Sequence, residues 1–135
     1  MKKNLILAIM AVLAMTSCET KKNFESLSGE WDVVYIGELV VPDSVGAFLG
    51  FNLLEHIVYG STGCNQLSGA LPEVIDTKTP MFGAVGCTRM MCADMTVEDA
   101  MLPALGKVVD FKVNGDSLYL NDAEGAVQMS LVKRN

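Results

Sequence analysis

The chain has 135 residues, half of them hydrophobic, with a formal charge of −6 at neutral pH and a single histidine. That length fits one domain. The acidic balance excludes a charge-driven nucleic-acid binder and a protein held electrostatically on anionic lipid. Four cysteines and nine methionines make sulfur the distinctive part of the composition.

Residues 1–17 read as a signal peptide rather than as part of the fold. Lys2 and Lys3 are basic, and Leu5 to Met15 is an apolar run of eleven residues. Spanning a bilayer takes about 20, so this run suits an export signal. Ala14-Met15-Thr16-Ser17-Cys18 resembles a bacterial lipobox, which makes Cys18 the lipidated first residue of the mature chain and the lipid its link to the membrane. Glu19-Thr20-Lys21-Lys22 has one acid followed by bases, unlike the acidic run of a surface-export signal. The expected location is therefore the outer membrane, facing the periplasm. Residues 18–26 are a polar tether, and residues 27–135 form the domain. From Cys18 onward sixteen acids face eight bases, a formal charge of −8. Export exposes the remaining cysteines to an oxidising compartment.

Gly29 to Gly37 alternates, with Trp31, Val33 and Tyr35 on one face, and predicts the first strand. After the turn at Pro42-Asp43-Ser44, Ala47 to Leu54 predicts a second, with Gly50 as a bulge. Ile57 begins a third. The glycine-rich run from Tyr59 to Gly69 predicts a tight turn or bulge, with the strand carried onward through Leu67 to Leu71. Thr79 to Val85 reads as another short strand. Thr96-Val97-Glu98-Asp99 predicts a capping box ahead of apolar positions Val97, Met101, Leu105 and Val108. The helix runs from Thr96 to Lys107, with Pro103 expected to kink or shorten it. The tail, Val109 to Val113, Ser117 to Leu120 and Ala126 to Val132, predicts a meander turning at Asn114-Gly115. Its buried face takes Phe111, Val113, Leu118, Leu120, Val127, Met129 and Leu131. The pattern is α+β, with seven or eight antiparallel strands and one helix.

Catalysis has little material. His56 would need to meet Cys64 and an orienting third group to form a nucleophilic pair, and it reads instead as a half-exposed strand-end residue. No nucleophile elbow, phosphate loop or paired histidines occur. No catalytic residue, cofactor or resident metal is assigned, and the chain reads as a non-enzyme. A soft-metal alternative exists: Cys64, Cys87, Met90, Met91, Cys92 and Met95 are ligand types that suit Cu(I).

Gly63-Cys64-Asn65-Gln66-Leu67-Ser68-Gly69 resembles the Gly-Cys-Asn-x-x-x-Gly signature of the META/HslJ-like family. Thr88-Arg89-Met90-Met91-Cys92 is similar to that family's Thr-x-Met-x-Cys motif, and Glu98 stands where the family often has a glutamate opening the helix. With the lipobox, the arrangement resembles Bacteroides-type lipoproteins of the family. The resemblance implies an antiparallel sheet curled into a partial barrel with one packed helix, in an envelope protein, some relatives being linked to heat shock or novobiocin tolerance. It carries no catalytic residues. It implies a module that binds an unidentified protein or small ligand in an envelope or stress role, and the chain is expected to be a monomer. Cys64 and Cys92 occupy motif positions and Cys87 does not, which implies a Cys64–Cys92 disulfide with Cys87 reduced. A Cys64–Cys87 bridge is the rival pairing, and three free thiols the third possibility. The implied bridge closes a loop of ~28 residues, worth about 3 kcal/mol.

Overall fold

The computed structural model describes Phe24 to Asn135 apart from Ile75 and Thr77. The expected signal peptide, the expected lipidation site Cys18 and the expected tether as far as Asn23 lie outside the described residues. The described fold begins three residues ahead of Leu27, with a 3-10 turn over Phe24–Leu27. Phe24 meets the Phe111 ring at 5.5 Å, and Leu27 is fully buried.

Strand β1 (Gly29–Ile36) is the axis of the sheet. A short β2 (Leu39–Val40) folds back on its end. On one side lies a meander of β3 (Phe48–Asn52), β4 (Ile57–Ser61), β5 (Gln66–Ala70) and the two-residue β6 (Gly86–Cys87). On the other lies β9 (Val127–Lys133), then β8 (Ser117–Asn121) and β7 (Asp110–Asn114). Every pairing is antiparallel. The edge strands β6 and β7 do not pair with each other, so the nine-stranded sheet curls without closing into a barrel. One backbone bond, Met81 N–H to Val108 O at 2.7 Å, links the segments leading into these two edges. Helix α1 (Thr96–Lys107) packs against β1 and β9. The architecture is the expected α+β one.

Trp31, Val33, Phe51, Leu67, Phe82, Leu105, Phe111, Leu118 and Leu120, the core read from the sequence, are all buried. Trp31 is wholly enclosed because its indole N–H also finds a partner, the Leu27 carbonyl at 2.9 Å. Burial of such a ring would otherwise strand a donor.

Several local expectations change. A register shift between Val33 and Tyr35 in β1 turns Tyr35 outward and Ile36 inward. A bulge inserts one residue and so flips the alternation. Gly50 is a regular ladder residue between Glu30 and Tyr59, not a bulge. Thr79 to Val85 forms no strand, although Met81 and Phe82 are buried. Val127 is exposed, because the β8–β9 register shifts between Leu120 and Asn121. Pro103 does not end α1, which runs unbroken for 12 residues.

Gly60 shows where backbone approaches most closely: a Cβ there would overlap the Phe48 carbonyl oxygen. Gly106 in α1 has open space around it. Gly60→Ala is expected to cost about 2 kcal/mol or more, since backbone cannot yield cheaply. Gly106→Ala should stabilise by about 0.5–1 kcal/mol through helix propensity. Urea melts of the two variants check this pair, and equal effects would contradict it.

Candidate functional site

The glycine-rich run does not carry β4 onward as one strand. It turns back at Thr62–Asn65 and returns as β5. Thr62 N–H donates to Asn65 O at 2.9 Å, and Thr62 Oγ1 accepts from the N–H groups of Asn65 (2.9 Å) and Cys64 (3.2 Å). Gly63 has φ +93°, the left-handed region, and a Cβ there would strike the Val45 side chain and sit 2.9 Å from its carbonyl. Conformation and space therefore both require glycine.

This turn aims the Asn65 amide inward, where it is 1% exposed. All four of its hydrogen-bonding positions are used. Oδ1 accepts from Met90 N–H (2.7 Å) and Thr88 Oγ1 (3.0 Å). Nδ2 donates to Met90 O (3.0 Å) and Glu98 Oε1 (2.7 Å). Thr62 Oγ1 adds a 2.8 Å bond to the same Glu98 oxygen. Thr88 Oγ1 also accepts from Gln66 N–H at 3.0 Å. One asparagine thus joins three distant segments: the β4–β5 turn, the strip after β6 and the first turn of α1.

The Cys64–Cys92 disulfide fastens the same junction, with Cα atoms 5.9 Å apart. Cys87 is the free thiol, half-buried. Burial pushes its pKa up, Glu98 adds to the rise, and Arg89 opposes it. Gly69 lies in β5 under Val85, whose Cγ2 would be 3.2 Å from an added Cβ.

The expected capping box, Thr96 with Asp99, does not form, because the helix begins one residue early: Met95 is its N-cap and Asp99 N–H bonds the Met95 carbonyl at 2.9 Å. Asp94 takes the capping role: its Oδ1 accepts from Thr96 N–H at 2.9 Å. Hydrogen bonds from Thr96, first its side chain and then its backbone, hold the Asp94 pKa below the ordinary range.

Between the strip 82–91 and α1 opens a groove of about 860 Å³. Phe82, Val85, Met90, Met91, Met95, Leu102 and Leu105 supply its apolar lining, and Asn65, Cys87, Thr88, Arg89 and Glu98 its polar groups. Met90 and Met91 are 57% and 86% exposed at its rim.

The motif residues Gly63, Cys64, Asn65, Thr88, Met90, Cys92 and Glu98 therefore converge on one junction. The proposed Cu(I) set does not survive as a ligand sphere. The Cys64 and Cys92 sulfurs are bonded to each other and are not available as thiolates. Among the described residues no group of three or more His, Cys, Asp or Glu is placed to hold a metal ion. His56 sits exposed in the β3–β4 turn with φ 54°, at the opposite end of β4 from Cys64, so no Cys–His pair forms. Sequence reasoning missed Thr62, whose signal was a hydroxyl residue just before a glycine turn. It also missed Phe82, Leu102 and Arg89 as groove residues, for which no local signal exists.

An open antiparallel sheet curled around one helix, with a disulfide-fastened turn beside a groove, defines a small α+β module. The chain belongs to the META domain family, whose pattern matches residues 24–135. Its fold is similar to the NMR structure of a protein from Burkholderia xenovorans, with TM-score 0.64, 21% identity, and 83% of this chain and 86% of that one covered. It is also similar to the crystal structure of a duf4847 family protein from Bacteroides vulgatus, with TM-score 0.55, 14% identity, and 80% and 94% covered. No curated protein matches this chain.

Proposed function

We propose that this protein is a non-enzymatic envelope lipoprotein, anchored through Cys18 at the periplasmic face of the outer membrane, that binds a partner in the groove beside α1. The observation that carries the binding half is the groove itself. Its 860 Å³ falls within the range of small-molecule sites. Its lining is mainly apolar with a few polar groups, and two large exposed methionines stand at its rim. Met side chains are flexible and polarizable, which suits a surface that adapts to what it binds. The disulfide and the Asn65 network hold one wall rigidly, which lowers the ordering cost of binding.

The anchor half rests on the lipobox-like Ala14 to Cys18. Cys18→Ala is expected to move the protein from the membrane to the soluble fraction after osmotic release. A variant that stays membrane-bound would place the anchor elsewhere. For the binding half, chemical crosslinking in intact envelopes should give one discrete adduct or one retained small molecule. A chain recovered only as itself, under conditions that crosslink other envelope proteins, would contradict the reading.

A further inference from the structure

Glu98 is 8% exposed and belongs both to the network and to the groove lining. Its Oε1 is fully engaged, accepting from Asn65 Nδ2 at 2.7 Å and Thr62 Oγ1 at 2.8 Å. Its Oε2 takes no hydrogen bond among the described residues. Oε2 is not among the fully enclosed atoms left without a partner, so it is open to solvent, and the groove that Glu98 lines is where it can meet a donor. The protein's own donors serve only Oε1.

The groove's other charge is Arg89, which is exposed. A charge in water at the mouth is screened, whereas one at the floor acts through a lower dielectric. The deep negative group therefore dominates recognition. The rest of the lining, with Met91, Met95, Leu102 and Leu105, accepts hydrocarbon. The chain's formal charge of −6 also favours approach by a cation.

We infer that the groove selects small amphiphilic ammonium compounds, with the ammonium on Glu98 Oε2 and an apolar body against the methionine and leucine side chains. This rests on the groove being the binding surface, and it adds the ligand's chemical class. Asn65 and Thr62 are positioning residues here: by holding Oε1 they aim Oε2.

Three probes of one shape test it on the full chain: 2-phenylethylammonium, 2-phenylethanol and 3-phenylpropionate, followed through methyl-labelled methionine resonances. The ammonium probe should shift the Met91 and Met95 methyls and bind about tenfold more tightly than the alcohol, the scale of one charge-assisted hydrogen bond. The carboxylate should bind more weakly still. Glu98→Gln keeps an acceptor for Asn65 and should erase the preference. Where that variant disturbs the turn, the probe series on the unaltered chain decides alone. Equal binding of all three probes would overturn charge selection while leaving the groove as a binding surface. Preference for the carboxylate would overturn it in favour of Arg89. No shift by the ammonium probe would overturn it outright, with envelope crosslinking still judging the groove on its own.

Discussion

Removing both cysteines of the bridge, as Cys64→Ala with Cys92→Ala, is expected to destabilise the protein by about 3 kcal/mol. The bridge joins residues 28 apart in sequence, and most of its effect lies in the unfolded chain, which loses conformations when that loop is closed. In a domain of this size the loss corresponds to a fall in melting temperature of roughly 10–15 °C. It is also a large fraction of a typical total stability of about 5–15 kcal/mol. The double variant matters because a single Cys92→Ala would leave Cys64 able to pair with Cys87. Thermal unfolding of the unaltered protein with and without reductant should reproduce the shift, and Cys87→Ser should not. A change below about 1 kcal/mol would mean that the segment from Cys64 to Cys92 stays ordered when the rest unfolds.

Asn65→Ala should be as damaging, although it touches no covalent bond. The substitution removes two acceptor and two donor contacts at 2.7 to 3.0 Å from an enclosed site. Glu98 Oε1 then loses a partner inside a buried bond, whereas Met90 N–H and Thr88 Oγ1 lose theirs in part-buried bonds that water can partly replace. A buried group left unmatched costs about 1–3 kcal/mol and the part-buried ones less, so a net loss of about 3 kcal/mol is expected. Hydrogen exchange should locate the damage: the Met90 amide, protected by Asn65 Oδ1, should exchange far faster in the variant. Asn65→Asp should be no rescue, since it loses both Nδ2 donors and sets a second carboxylate against Glu98. A Met90 amide equally protected in the variant would show that the strip after β6 is held by the disulfide alone. Since Cys64 and Asn65 are consecutive, the two losses should not add, and the shortfall measures how far bridge and network hold the same wall.

The helix was legible to its ends, Thr96 and Lys107, because its apolar spacing is regular. What closes its first turn was not, because the helix starts at Thr96 itself, with Met95 as N-cap and Asp94 accepting from the Thr96 N–H, which the Thr96–Asp99 spacing does not reveal. Pro103 did not shorten the helix: Val97, Met101, Ala104 and Leu105 bury one face across it, and that packing outweighs one missing N–H. Tyr35 and Ile36 traded places because a bulge leaves no mark in composition. Met81 and Phe82 carry enough hydrophobicity for a strand, yet they are buried as loop residues tied to Val108. The junction around Asn65 was legible as two motifs and one bridge. The groove was not, because it arises only when the strip 82–91 and α1 come together.

Site-resolved photocrosslinking in intact cells tests most directly whether that groove is the binding surface. A photoreactive residue placed at Met91, 86% exposed on the groove rim, is compared with one at Leu54, 96% exposed in the β3–β4 turn. The account predicts a specific adduct from position 91 and none from position 54. The same adduct from both positions, or one from position 54 alone, would contradict it.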